Sequence, residues 1–230
     1  MHDFLENSIF FGTVISVVSY GIGVLLKKKC KLAILNPLLI SITITITFLA
    51  CADISYDKYY EGAKYLNYLL TPATVCLAIP LYEQLELLKH NWKAILIGIL
   101  SGVLSSLGMI LGMAMLFQFD HREYVTFLPK SITTAIGMGV SEKLGGYVSI
   151  SVAAIIITGV LGNIFAEWIF RLFRIREPIA RGVALGTASH AIGTAKAMEL
   201  GEAEGAMSSL SIVVAGLITV VGATIFSHIM

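Results

Sequence analysis

RGVALGTASHAIGTAKAMELGEAEGAMSSL, residues 181–210, is a small, polar, glycine-rich stretch in a chain that is otherwise 57% hydrophobic and 13% charged. A helix facing lipid has no use for such residues. Polar or irregular backbone survives at membrane depth only where it is buried in protein or lines an aqueous cavity, because an unpaired amide in hydrocarbon costs several kcal/mol. The stretch therefore points to a substrate path through the membrane.

The rest of the chain supports that setting. Soluble domains carry about 25% charged residues, so 13% together with a mean hydropathy of +0.84 marks an integral membrane protein. The net charge of +1 comes without a basic stripe, and nucleic acid is not an expected partner. Cys30, Cys51 and Cys76 fall in unrelated segments without metal-ligand spacing and read as packing residues. The acidic start HDFLEN, residues 2–7, lacks a basic region and a cleavage site, so the first apolar run is expected to be a retained helix.

Membrane-spanning helices need about 20 apolar residues. Six runs qualify: 8–26, 32–51, 63–81, 92–117, 147–173 and 206–229. ITITIT at 42–47 imitates a strand, but its length and setting favour a helix whose threonines bond back to the preceding turn. Pro72 and Pro80 remove two backbone donors from the third run, which should be kinked or broken. Residues 118–146 and 174–204 remain.

Lysine and arginine concentrate in short cytoplasmic loops. Placing KKKCK (27–31) inside puts the amino terminus outside, Lys89 and Lys93 inside, and Asp120 outside. Arg171, Arg174, Arg176 and Arg181 then fall inside only if 118–146 enters and leaves on the outer side. Residues 181–204 become a second re-entrant hairpin, entered from the cytoplasm. Ala135-Ile136-Gly137 and Leu144-Gly145 recur at Ala191-Ile192-Gly193 and Leu200-Gly201, and PATVCLAI (72–79) faintly echoes PKSITTAI (129–136). The expected fold is an all-α integral membrane protein: six transmembrane helices plus two re-entrant hairpins in an inverted-repeat, transporter-like arrangement. It is one domain, 1–230, with four helices over 8–117 and hairpin-plus-helix repeats over 118–173 and 174–230.

Chemistry is expected at the two bends. In LPKSITTAIGMG (128–139), Pro129 suits the first turn of a helix, so the amides of residues 131–134 should be free. Such an end, with the hydroxyls of Ser131, Thr133 and Thr134, suits a carboxylate. Lys130 either supplies a full charge or snorkels to the interface. In GTASHAIGT (186–194), Thr187, Ser189, His190 and Thr194 sit among glycines, Gly193 included, that permit close backbone approach. His190 is either a satisfied polar side chain or part of substrate binding or proton coupling.

Lys196 and Glu199 can pair at a spacing of three. Glu202 and Glu204 are expected to face water at a helix start. Asn163 and Glu167 share a face with Gly159 as coupling or supporting residues, though Trp168 and Arg171 make Glu167 read as interfacial. Gly98, Gly102, Gly108 and Gly112 read as close helix packing, and Tyr56, Tyr59, Tyr60, Tyr65 and Tyr68 as an outer aromatic belt. There is no H-E-x-x-H, Walker loop or cysteine cluster; neither enzymatic activity, a cofactor nor a metal is expected.

NYLLTPATVCLAIPLYEQ (67–84), FLPKSITTAIGMGVSEKLGG (127–146) and ARGVALGTASHAIGTAKAMELGEAEGAMSSL (180–210) resemble the LrgB/CidB family, which includes bacterial antiholin-like proteins and the carboxy-terminal half of the plant plastid glycolate/glycerate translocator. The resemblance covers nearly the whole chain, although the family often has proline where Ala135 stands. It implies a multi-pass protein of the bacterial cytoplasmic membrane. Two activities are ascribed to the family: modulation of murein hydrolases and lysis beside a small LrgA/CidA-type partner, and carriage of small carboxylates such as pyruvate, glycolate or lactate. Two polar bends suited to anions favour the carrier. A separate LrgA/CidA-like subunit and homo-oligomer formation are both compatible with the resemblance.

Overall fold

The computed structural model describes residues 10–30 and 36–230; the acidic start, the first residues of the 8–26 and 32–51 spans and Lys31 lie outside them. Every regular element among the described residues is helical. Four helices are long and apolar enough to cross a membrane: α1 (Phe11–Cys30), α6 (Leu85–Phe117), α9 (Val148–Leu172) and α11 (Glu202–Phe226). The protein is thus a multi-pass membrane protein. Between them lie α2 (Pro37–Cys51), α3 (Tyr56–Tyr68), α4 (Leu70–Cys76), α5 (Ala78–Glu83), α7 (His121–Phe127), α8 (Thr134–Lys143) and α10 (Pro178–Leu200).

The third expected span is not one helix. It is divided among α3, α4 and α5, with breaks at Leu69 and Leu77. Each break precedes a proline by three residues, so Pro72 and Pro80 sit in the first turn of the next helix, where a missing N–H costs nothing. The second span is 15 residues long from Pro37, with Asn36 Oδ1 accepting from the Leu38 amide as its cap.

The chain forms two compact units, residues 1–76 and 77–230. In the first, α1 packs on α2 and α3. Gly12 lies against the backbone of Tyr59 and Ala63, Thr13 Oγ1 donates to the Gly62 carbonyl at 2.6 Å, and Ser16 and Tyr59 hydroxyls bond at 2.8 Å. Tyr56, Tyr60, Tyr65 and Tyr68 remain exposed on α3. Cys51 and Cys76 are exposed free thiols, against the expectation of packing residues; in lipid a thiol gains little from moving into protein.

In the second unit the two polar segments fold back on themselves. Inside α10 the helix fails at Ser189 (φ −130°, ψ 15°) and His190 (φ 42°, ψ −136°). Residues eight apart on a continuous helix are about 12 Å apart, yet Gly193 packs directly on the Leu185 carbonyl and Ser189 Cβ. The arms 178–188 and 191–200 therefore form a hairpin. Gly182 packs on Glu204 and Gly186 on Ser208, so the first arm runs parallel to α11; the Asn163–Ile192 and Glu167–Lys196 bonds set the return arm parallel to α9.

The other hairpin is α7, a turn over 128–133, and α8. Asp120 caps α7 in a reciprocal box with Glu123. Ser151 bonds Ser141 and Ile155 meets Gly137, which makes α8 antiparallel to α9. Arg122 stacks 4.1 Å from the Tyr147 ring and Tyr124 donates to the Phe226 carbonyl. This hairpin thus begins and ends where α11 ends, whereas that of α10 begins and ends where α11 begins. Leu107, Ile110, Tyr124, Leu128, Ile132 and Ala215 belong to one buried cluster shared by this hairpin, α6 and α11.

One detail of the first bend differs from expectation. The helix starts at Thr134, with Thr133 as its cap, rather than at Pro129. The intervening residues form a turn in which Lys130 N donates to the Phe127 carbonyl and Ile132 N to that of Pro129, so those two amides are not free. The amides without an intrahelical acceptor begin at Thr134.

Candidate functional site

Both bends reach the middle of the long helices. Ser131 bonds Ser106 of α6 at 3.1 Å, Thr187 lies against Gly102 of α6, and the Ser189 side chain fills the space left by Gly162 of α9. Between them is a cavity of about 750 Å³, within the range that holds small ligands. Lys130 and Ser131 line it from one hairpin, Thr187 and Ser189 from the other, with Ser105, Ser106 and Thr158 from the flanking helices. Asn91 and Glu177 line it toward the arginine-rich end.

Lys130 defines the electrostatics. Its ammonium meets Ser131 Oγ at 3.2 Å, and among the described residues no carboxylate lies within ion-pair distance of it. Holding such a charge away from water costs several kcal/mol unless a counter-ion compensates. Thr187 is the other unsatisfied group: it is 6% exposed, and its Oγ1 is the buried side-chain polar atom without a hydrogen-bond partner among the described residues. An orphaned buried hydroxyl costs about 1–3 kcal/mol.

The remaining bend residues build the hairpin and do not line the cavity. His190 is 3% exposed, and its Nε2 lies 3.0 Å from the Ile155 carbonyl, which can only accept, so Nε2 carries the proton. Its ring occupies the space opened by Gly159. Thr194 Oγ1 donates to the His190 carbonyl and bonds Ser208, and Asn163 Nδ2 donates to the Ile192 carbonyl. These contacts together compensate a positive φ at a non-glycine residue, which costs about 1–3 kcal/mol by itself. Thr133 and Thr134 are at the start of α8, half-buried and outside the lining, because the turn after Pro129 carries the helix start past the cavity. Gly193 is the seat for the opposing arm.

Charged residues gather at the arginine-rich end. Lys196 Nζ, on the return arm, lies 2.6 Å from Glu167 and 3.3 Å from Glu199, and Glu167 also pairs with Arg171. The interfacial character of Glu167 and its contact with the hairpin are the same arrangement. Glu204 does not face water: it is buried and pairs with Arg181 at 3.7 Å, because α11 starts against the first arm of α10. Glu202 is exposed. Glu167→Gln should lower stability by about 1 kcal/mol, since the pair is partly solvated; an unchanged melting temperature in detergent would show that the pair does not hold the return arm.

Sequence reasoning missed Asn91, Ser105, Ser106, Thr158 and Glu177. The signal was on α6, where Gly98, Gly102, Ser105 and Met109 recur at helical spacing and all line the cavity. Packing explains only Gly98 and Gly102, which meet Val183 and Thr187; Gly108 and Gly112 face open space.

The sequence profile of the LrgB-like family matches residues 16–229. The chain is 38% identical over 213 residues to proteins named antiholin-like protein LrgB from Bacillus mycoides (strain KBAB4) and Bacillus cereus (strain B4264), covering 92% of this chain and 93% of each relative. The same figures hold for the protein of that name from Bacillus anthracis (strain CDC 684 / NRRL 3495). No solved structure matches. With the profile spanning nearly all of it and relatives this similar along their whole length, the chain belongs to the LrgB-like family.

Proposed function

We propose that this chain is a carrier of small monocarboxylates, of the pyruvate, glycolate or lactate class, in the bacterial cytoplasmic membrane. One observation carries the reading: the Lys130 ammonium, without a carboxylate partner among the described residues, shares a cavity at mid-helix depth with the unsatisfied Thr187 hydroxyl from the opposing hairpin. An anion entering there compensates the charge and reaches Ser131, Thr187 and Ser189. His190, Gly193, Thr194 and Asn163 hold the second bend, and Thr133 and Thr134 start the helix behind the first. Glu167, Lys196 and Glu199 tie the return arm to α9.

In this reading the segments 118–146 and 181–204 are re-entrant from opposite faces, and each hairpin with its following helix is one of two inverted repeats. Hairpins that open at opposite ends of the unit support it. Single cysteines near Asp120 and Gly146 should both react with an impermeant reagent from the outer side of intact cells; reaction from opposite sides rules this topology out.

The relatives' name favours a second reading, a non-transporting antiholin-like regulator of murein hydrolases and cell death. Involvement in lysis control is compatible with both, because altered carboxylate and proton balance affects lysis. An LrgA/CidA-type subunit is the proposed partner. Uptake of labelled pyruvate, lactate and glycolate into proteoliposomes, with and without that subunit, decides between the readings: uptake of none under either condition leaves the regulator.

A further inference from the structure

Several serine and threonine hydroxyls in the helices of this protein turn back to the carbonyl four residues earlier. Thr43, Thr126, Thr194, Ser209, Ser211 and Thr224 all do so, at 2.7–3.0 Å. That bond removes the hydroxyl from any other use. Thr187 makes no such bond: it lies in the helical first arm of α10, it is buried, and its Oγ1 is the buried side-chain oxygen without a partner among the described residues.

Gly102 of α6 supplies the reason. A Cβ built on Gly102 would fall 2.7 Å from Thr187 Cγ2 but 4.0 Å from Thr187 Oγ1, so it is the methyl that is seated against the glycine. Threonine has few staggered side-chain positions in a helix. Seating the methyl on Gly102 sets the rotamer, and the hydroxyl is left without the back-bond. Both residues line the cavity.

We propose that Thr187 is a specificity-determining residue, its hydroxyl held by Gly102 for an oxygen carried on the carbon next to a substrate carboxylate. The proposal rests on the carrier reading. Gly102 and Ser106 are one turn apart on α6, a rise of about 6 Å; Thr187 touches the first, and Ser131, beside Lys130, bonds the second. A two- or three-carbon acid fits that separation, with its carboxylate toward Lys130 and Ser131 and its 2-oxygen toward Thr187. A hydroxyl both donates and accepts, so it serves a 2-oxo and a 2-hydroxy group equally. A site built around such a bond rejects the analogue lacking the oxygen, because its own polar group is then left unpaired.

The test is competitive uptake of lactate and propionate by the full chain in proteoliposomes, with the LrgA/CidA-type subunit added if uptake requires it. Wild type should prefer lactate. Thr187→Val, which keeps the shape and removes the hydroxyl, should lower the lactate-to-propionate ratio at least tenfold, whereas Thr187→Ser should keep it near the wild-type value. Gly102→Ala, which displaces the methyl, should lower the ratio as well. An unchanged ratio in Thr187→Val, including loss of both acids in equal proportion, overturns the specificity role while leaving the carrier reading intact. If wild type moves neither acid but moves pyruvate, the ratio is read with pyruvate in place of lactate; if it moves none of pyruvate, lactate and glycolate, the carrier reading falls and this proposal with it.

Discussion

Replacing Lys130 by methionine is expected to lower uptake of pyruvate or glycolate at least about 30-fold, with membrane insertion and folding retained. The magnitude comes from the site. Truncating one partner of a desolvated charge pair costs about 2–5 kcal/mol, and 2 kcal/mol is already a factor of about 30. The folded protein loses little, because the ammonium contacts only the Ser131 hydroxyl among the described residues and no carboxylate is stranded by its removal. Lys130→Arg should recover part of the rate, since the charge returns on a larger, planar group with different geometry. Uptake with labelled acid, beside a membrane-insertion assay, reads this directly. If Lys130→Met inserts normally and transports at the wild-type rate, Lys130 is not the counter-charge of the substrate, and the observation that carries the site assignment is lost.

A large loss of stability is expected at Gly193. Alanine there would put a methyl 2.5 Å from the Leu185 carbonyl oxygen on the opposite arm of the hairpin and 2.7 Å from Ser189 Cβ at its bend. A carbonyl in a helix cannot swing away, so the arms must part. Overpacking of this kind costs about 1–3 kcal/mol, and more where backbone has to move. Gly193→Ala should therefore lower the melting temperature in detergent by several degrees and abolish uptake, because the bend positions Thr187 and Ser189.

Gly137 offers a comparison, since it ends the same Ala-Ile-Gly triplet in the other hairpin. A methyl there meets chiefly the Cδ1 tip of Ile155, which can rotate, and the loss should be smaller. Gly139, with nothing within 4 Å of an added Cβ, should tolerate alanine. Equal effects at all three positions would show that glycine content, not the arm-to-arm contact, governs the segment.

The residue pattern carried part of this architecture openly. Hydropathy located the helices that became α1, α6, α9 and α11, and the prolines marked where the third run breaks. The glycine-rich polar run placed the second bend within residues 186–194, where the helix breaks at Ser189 and His190, because a stretch of Gly, Ala, Ser, Thr and His cannot face hydrocarbon as a plain helix. The first bend was located, but its helix start was not. Pro129 is compatible with a first helical turn and equally with the tight turn it occupies, and local sequence does not distinguish them. Glu204 was misread for a similar reason: an acid at a helix start is favoured in water, and nothing nearby in the chain announces that Arg181 stands across from it.

The membrane class, the long helices, their breaks and the presence of two polar bends all arise from the way single segments meet their solvent, and for these the order of residues along the chain suffices. Which polar groups meet is settled by packing alone. Ser131 reaches Ser106, Thr187 reaches Gly102, Ser189 reaches Gly162 and Lys196 reaches Glu167, across separations of 25 residues or more. Whether Thr187 keeps a free hydroxyl depends on a missing Cβ 85 positions away on α6. Hydropathy and local geometry act through each residue's own surroundings and are legible in order along the chain, whereas the chemistry of a cavity depends on contacts that exist only once the helices have packed.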